Sequence, residues 1–399
     1  MKVLFLTLAR IDSIEVQGIY QDLLRKFRDK GHELFIVSPS ERKYKNKTQL
    51  YSQGALQILN VWTTNFQKTN KLEKGLTTVL LEYFYYKAIK KHLNYKDLDL
   101  ILYTTPPITF TNLIKKIKKE SNAKTYLLLK DIFPQNAVDL NYLKYGGLLY
   151  KYFRNQEKIL YRISDFIGCM SPANLDYLQK NNSEIEINKL EINPNTIDIQ
   201  EYSKNVNIDI YNKYKIPKDK IIYIFGGNLG IPQGIEFLKK NISNCKSISE
   251  AFFLIIGHGT EYHNFRNWIE IENISNALLI NEVPKSEFDE IIKLSHVGLI
   301  FLNPKFTIPN FPSRILSYMQ NYLPVICATD SVSDIGKIAF ENNFGFNCLT
   351  SDIDAFFNYV VKLLDKEIRT QMGKNSYSFL IKEYNTDITY NKIVNKINL

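Results

Sequence analysis

The sequence predicts an α/β protein built from two doubly wound, parallel-sheet domains that face a cleft. Three observations carry this expectation. Short apolar runs alternate with amphipathic helical stretches along most of the chain, the pattern of repeated βαβ units. Near Pro194 (EINPNTIDIQEY) the alternation breaks into turn-formers and polar residues, and then it begins again. A chain of 399 residues is also too long for a single core and suits two. The expected domains are Rossmann-like and span 1–198 and 199–379, with a helix at 380–399 packing back on the first.

In the first domain Lys2–Leu8 reads as a buried strand. Gln17–Lys30 reads as a helix with Ile19, Leu23, Leu24 and Phe27 on one face, ended by Gly31. Glu33–Ser38, Leu56–Trp62, Ile101–Thr105, Thr125–Lys130 and Phe166–Met170 are further strands. In the second domain the strands are Ile221–Phe225, Phe252–Ile256, Leu278–Ile280, Val297–Leu302 and Leu323–Ala328. Between the last two lies FTIPNFPSRILSYMQN, where Pro312 and Ser313 open a helix. Pro is tolerated in a first turn, and either Ser313 or Asn310 is placed to cap it. Strand, loop, helix and strand make a right-handed βαβ unit.

Composition narrows the classes. Hydrophobic residues at 45% and charged residues at 23% describe an ordinary globular protein. No apolar run approaches the ~18 residues of a membrane span. The N-terminal run MKVLFLTLAR reads as a first strand and not as a signal peptide. Cys169, Cys245, Cys327 and Cys348 lie far apart, three of them in or beside apolar runs. They read as core residues in a reducing compartment, which places the protein in the cytoplasm. A formal charge of +10 calls for an anionic partner, although a bias toward Lys, Asn, Ile and Tyr accounts for part of it. Nucleic acid is the weakest candidate, because the basic residues are dispersed and no binding motif appears. Leu80–Leu93 (LLEYFYYKAIKKHL) and Asn112–Lys119 (NLIKKIKK) suit two settings. One is an anionic membrane surface, and the other is an ordinary packed helix with a solvated Lys face.

Candidate binding residues gather at strand ends. A helix N-terminus at the C-terminal edge of a parallel sheet attracts anions. Arg314 sits in such a first turn, where a cation opposes the helix dipole. It is either a solvated helix-start residue or one placed for a ligand such as phosphate. After Ile221–Phe225 come Gly226, Gly227, Asn228, Leu229 and Gly230, then Gln233 and Gly234. This matches neither G-x-G-x-x-G nor a Walker loop, so it is either a phosphate cradle or a tight βα turn. Phe252–Ile256 ends in Gly257-His258-Gly259, where His258 suits a turn better than catalysis. Three such loops at one sheet edge make a candidate site.

In the first domain LLLKDIFPQNAVDL places Asp131 after a strand, followed by Pro134 and Gln135. The carboxylate is either a ligand-site group or a turn cap. Gly18 at the first helix either admits a ligand or makes a turn. The pairs Asp97/Asp99 and Asp352/Asp354 read as structural, and no His/Cys cluster has metal spacing.

With these residues in view, the chain resembles a family-4 glycosyltransferase of the two-domain GT-B fold, nearly end to end. The resemblance rests on FGGNLGIPQGIEFL, LIIGHGTE, VPKSEFDEIIKLSHVGLIFL and IPNFPSRILSYMQNYLPVICATD. KDIFPQNAVDL, CMSPANLDYL and PNTID resemble the subgroup of O-antigen and capsule assembly that transfers sugars of the N-acetylfucosamine type, 2-acetamido-2,6-dideoxyhexoses. The resemblance implies a retaining transfer from a nucleotide-diphosphate sugar, UDP-linked, to a polyprenyl-diphosphate-linked glycan, by a peripheral enzyme at the inner face of the cell membrane. It implies no cofactor and no metal. Donor contacts would fall on Gly227, Asn228, Leu229, Gly230, Gln233, Gly257, His258, Asn310, Ser313, Arg314 and Ser317. Acceptor contacts would fall on Gly18, Asp131 and Gln135, with Asp131 as the catalytic candidate. The sequence departs from the family where the usual Glu-x7-Glu pair falls on Pro309 and Ser317. The usual diphosphate-gripping Arg and Lys fall on Asn228 and Gln233, which leaves Arg314 to supply the charge. Two rivals stand beside this expectation: a sugar-nucleotide epimerase on the same fold, and a non-catalytic scaffold in a polysaccharide complex.

Overall fold

The computed structural model describes residues 1–66, 69, 71–200 and 209–398. It divides into two compact units, Met1–Asp198 with Asn385–Leu399, and Ile199–Tyr384. Glu201 and Tyr202, the end of the expected linker, lie outside the described residues.

The first unit holds eight strands: β1 (Lys2–Leu6), β2 (Glu33–Glu41), β3 (Gln49–Gln53), β4 (Leu56–Thr63), β5 (Leu100–Thr104), β6 (Lys124–Leu129), β7 (Phe166–Cys169) and β8 (Leu190–Ile192). Their order is β3-β4-β2-β1-β5-β6-β7-β8. Only β3 runs antiparallel, against β4. The central strands are buried on both faces, as a sheet covered by helices requires; Val3, Leu4, Phe5 and Leu6 have no exposed surface. Helix Ile19–Asp29 turns Leu23, Leu24 and Phe27 into this core.

The second unit has β9 (Ile221–Gly226), β10 (Ala251–Ile256), β11 (Ala277–Ile280), β12 (Val297–Phe301), β13 (Val325–Thr329) and β14 (Gly345–Leu349). Their order is β11-β10-β9-β12-β13-β14, all parallel. From β9 the chain winds outward first to one side and later to the other. The ends of β9 and β12 therefore form the topological switch point, where open α/β sheets bind ligands.

Three strands were not expected from the sequence, each for a physical reason. β3 is a mostly exposed edge strand of polar residues, with no apolar alternation to reveal it. β8 spans three residues. β14 has Asn347 in the middle of a short run.

The two helices suspected of lying on a membrane bury their apolar faces in the first unit. Lys71–His92 buries Leu81, Tyr85, Ala88 and Ile89, and Thr111–Ser121 buries Leu113, Ile114 and Ile117. Among the described residues no helix is long and apolar enough to cross a membrane.

The C-terminal region divides in two. Lys366–Glu383 belongs to the second unit, and a new helix, Thr386–Ile397, belongs to the first. The break lies at Asn385, whose side chain caps the new helix by accepting from the Ile388 amide at 3.3 Å. Tyr390 and Ile393 join the core of Val3, Phe5, Leu24 and Phe27. The Tyr390 hydroxyl bonds His32 Nε2 at 2.8 Å, and its ring meets Phe27 edge-on at 4.9 Å. Ile393 is fully buried, so Ile393→Ala should lower the stability of the first unit by about 2–5 kcal/mol. Chemical denaturation followed by domain-resolved hydrogen exchange would check this, and unchanged protection of β1 and β2 would refute it.

Candidate functional site

At the switch point of the second unit, two glycine loops interlock. Gly227 donates to the Ile256 carbonyl at 2.9 Å, and Leu229 donates to the His258 carbonyl at 3.0 Å. Gly257 adopts φ 152, and a Cβ there would overlap the Gly227 carbonyl oxygen. Gly227 adopts φ 128, and its Cβ position lies 3.4 Å from the Arg314 guanidinium carbon. Glycine serves backbone freedom at both positions and close approach at Gly257. The amides of Asn228 and Gly230 donate to no acceptor among the described residues.

Arg314 opens the seven-residue helix Arg314–Gln320. So short a helix gives a weak dipole, and the side chain itself carries the local charge. Its guanidinium lies 4.5 Å from the Phe225 ring centroid, a cation–π contact at the end of β9. Nη2 donates to Gln233 Oε1. Nη1 is shielded from water and has no hydrogen-bond partner among the described residues. Burial pushes the Arg314 pKa down, as expected of a charge without a counter-ion.

Beside these loops is a cavity of about 420 Å³, lined by Gly227, Asn228, Gly257, His258, Glu282 and Lys285, with Ile256, Val283 and Phe288 as its apolar wall. His258 is exposed, stacks at a tilt on Tyr262 with centroids 5.2 Å apart, and lies 3.2 Å from Asn281 Oδ1.

The structure therefore brings Gly227, Asn228, Gly230, Gln233, Gly257, His258 and Arg314 together. Other expected contacts are spent elsewhere. Leu229 is buried in the core, and its carbonyl accepts from Glu261 at 2.8 Å. Asn310 donates its side chain to the Ile308 carbonyl and its amide to Ser333 Oγ. Ser313 holds the N-cap position but makes no capping bond, because its backbone is already helical. Neither residue caps the helix, contrary to the sequence-based expectation. Ser317 lies one turn beyond Arg314, partly buried.

In the first unit, Asp131 follows β6 at the same kind of edge. Thr105 Oγ accepts from the amides of Lys130 and Asp131 at 3.0 and 3.2 Å and donates to the Asp131 carbonyl. The turn is thus held by Thr105, not by the Asp131 carboxylate, which bonds nothing among the described residues. Burial pushes that carboxyl up to about 6 and the neighbouring Lys130 amine down to about 7. Burial pushes the Tyr20 hydroxyl up to about 12, and the Asp131 charge acts in the same direction. Gly18, two residues earlier, uses its amide on Asp22 Oδ1 at 3.0 Å. Gln135 donates to Asp139 and lines a cavity of about 90 Å³ with Pro134, Tyr145, Tyr150 and Arg154.

The paired acids have structural work. Lys2 pairs with Asp97 through its side chain and bonds Asp99 through its amide, and Asp352 caps a helix through the Ala355 amide. Among the described residues no group of three or more His, Cys, Asp or Glu is placed to hold a metal. Phe225, Phe288, Tyr20 and Lys130 were missed by sequence reasoning. Aromatics in apolar runs read as core, and only the sheet order shows which strand end they reach.

Comparison with known proteins gives this geometry a family context. Residues 207–379 match the family of glycosyl transferases group 1. The probable glycosyltransferase WbjE of Pseudomonas aeruginosa is 21% identical over 369 residues, covering 90% of this chain and 84% of that protein. The Escherichia coli UDP-Gal:alpha-D-GlcNAc-diphosphoundecaprenol alpha-1,3-galactosyltransferase is 22% identical over 268 residues, covering 61% of this chain and 66% of that protein. The Escherichia coli trehalose-6-phosphate structure bound with UDP-2-fluoro glucose superposes with a TM-score of 0.75 at 11% identity, covering 100% of this chain and 99% of that one. At such identity the superposition speaks to the fold alone. The two parallel-sheet units have the GT-B fold, and the likeness of residues 207–379 to group 1 glycosyl transferases, together with these relatives, supports an enzyme of the glycosyltransferase class.

Proposed function

We propose that this protein is a retaining transferase that moves an N-acetylated, 6-deoxy amino sugar from a UDP-linked donor to a polyprenyl-diphosphate-linked glycan, in bacterial capsule or O-antigen assembly. The observation that carries the reading is Arg314 Nη1, a shielded cationic nitrogen without an acceptor at the switch point of a parallel sheet. A diphosphate oxygen is the ligand that would satisfy it. The free amides of Asn228 and Gly230 offer further donors, and the apolar wall of the 420 Å³ cavity suits a nucleoside. Two relatives support the finer points by name: one uses UDP-Gal and a diphosphoundecaprenol acceptor, and the other is a probable glycosyltransferase of a bacterium. The choice of an amino sugar rests on the resemblance of KDIFPQNAVDL and its neighbours.

In this reading an acceptor hydroxyl replaces UDP at the anomeric carbon with retained configuration. Arg314 compensates the charge that develops on the departing diphosphate. Asp131 receives or orients the hydroxyl proton on the acceptor side. No metal takes part, because preorganised cation and amide donors already neutralise the leaving group. The enzyme works at the inner face of the cell membrane, where its acceptor resides.

Three outcomes test the proposal. Arg314→Ala should weaken UDP binding by about 1.5–3 kcal/mol, the worth of a charge-assisted contact; titration calorimetry showing unchanged affinity would remove Arg314 from the site. Turnover should survive EDTA, and rescue of a chelated, inactive enzyme by Mg²⁺ or Mn²⁺ would overturn the metal-free reading. Asp131→Asn should leave donor affinity intact and cut turnover at least about tenfold. With the carboxyl raised to about 6, wild-type kcat/KM should fall as pH drops through that value, and the Asn variant should lack this limb. The sign for stability is opposite. A carboxyl raised in the fold destabilises it once ionised, so Asn should not lower the melting temperature above pH 6. Unchanged turnover with lost thermal stability would make Asp131 a turn residue.

A further inference from the structure

In the first unit the chain leaves helix Gln135–Asp139 through an exposed loop and enters helix Leu148–Ile163. Tyr142, Tyr145, Leu148, Leu149 and Tyr152 along it are 59%, 69%, 87%, 62% and 46% exposed. Of the twenty exposed large hydrophobics among the described residues, five fall in this run of eleven. Scattered apolar residues need no explanation, but such a concentration does. The loop is anchored, since the amides of Tyr142 and Leu143 donate to the Ala137 carbonyl at 2.7 and 3.1 Å, and that of Gly147 to Lys144 at 3.1 Å. The rings of Tyr145 and Tyr150 meet at 4.9 Å. The apolar groups are therefore displayed on a fixed backbone.

Charge selects the partner. From Asn141 to Asn155 the chain has Lys144, Lys151 and Arg154 and no acidic residue. Arg154 turns inward to Glu157, the Asn181 carbonyl and Asn182. Lys144 and Lys151 are exposed and make no ion pair among the described residues. We infer that this surface docks the protein on an anionic phospholipid bilayer. Leu148 and Leu149 enter the acyl boundary, the tyrosines sit at headgroup level, and the two lysines meet lipid phosphates. A second copy of the chain fits less well, because a two-fold interface sets the same patch against itself and brings lysine to lysine.

The surface adjoins the acceptor side. Tyr145 lines the small cavity that also holds Gln135, on the segment that begins at Asp131. The inference thus rests on the reading of a lipid-linked acceptor and names the face that brings the enzyme to it. It also replaces the two Lys-rich helices suspected from sequence, which bury most of their apolar residues in the core and leave only Val79 and Tyr83 of their large hydrophobics exposed among the described residues.

Flotation of the full-length protein with phosphatidylglycerol-containing vesicles, against phosphatidylcholine alone, tests it. The wild type should float with the anionic vesicles at low salt and release at high salt. Leu148→Ser with Leu149→Ser should reduce partitioning at least about tenfold, and Lys144→Glu with Lys151→Glu should abolish the preference for anionic lipid. Lys87→Glu with Lys91→Glu, on helix Lys71–His92, should float like the wild type. Unchanged UDP affinity in each variant shows that the fold survives. No flotation at any salt, or flotation of the leucine variant equal to wild type, overturns the inference. So does a wild-type dimer, by light scattering, that the leucine variant converts to a monomer without any vesicle binding. Flotation needs neither donor nor acceptor. Its failure therefore leaves the transferase reading standing, and failure of UDP binding leaves the docking surface standing.

Discussion

An arginine nitrogen held away from water without an acceptor is expensive, and the second unit is arranged around keeping one. Phe225 at the end of β9 lies under the guanidinium, Gln233 takes Nη2, and Gly227 clears the space in front of it. All three come from β9 and the loop after it, and the sheet order sets β9 beside β12, the strand that leads to Arg314. Nη1 remains open because no acceptor among the described residues reaches it. A counter-ion supplied by the protein would stabilise the empty fold and compete with any anionic ligand. The missing partner is therefore better read as preorganisation than as a packing defect.

The glycines beside it follow the same logic. An extra Cβ at Gly257 would collide with the Gly227 carbonyl, so the two loops can hydrogen-bond to one another only if Gly257 stays bare. Their mutual bonds consume the amides of Gly227 and Leu229 and leave those of Asn228 and Gly230. Loop against loop gives a rigid edge in which a few donors are free and the rest are committed. Leu229 seals the arrangement from below as part of the core.

Much of this was legible in the sequence because burial and strand period leave a strong trace. Eleven runs read as strands correspond to eleven of the fourteen observed, and the three absent ones lack an apolar signature. Arg314 stood out because a cation in a first turn is locally unfavourable. Its counterpart Phe225 did not, since an aromatic in IIYIF looks the same whether it fills the core or supports a guanidinium. Exposure was the least legible property. LLEYFYYKAIKKHL and NLIKKIKK have the composition of interfacial helices and yet bury their apolar faces, whereas NYLKYGGLLYKY displays its own. Composition is shared by both cases, and only the neighbours of each side chain separate them.

The first unit shows how a turn can be held without its aspartate. In most turns after a strand an Asp caps the local amides, but here Thr105 Oγ accepts from both Lys130 and Asp131 and closes the turn unaided. Relieved of that work, the partly buried Asp131 carboxyl meets no donor among the described residues, and desolvation raises it to about 6, beside an amine lowered to about 7. Asp22 makes the contrast. It is fully buried, and it accepts from Gly18, Arg25 and the Asp198 amide and serves to fasten the first helix. Burial raises both carboxyls, and the two differ in the donors that reach them. The difference lies in whether a neighbouring hydroxyl has already taken the backbone donors.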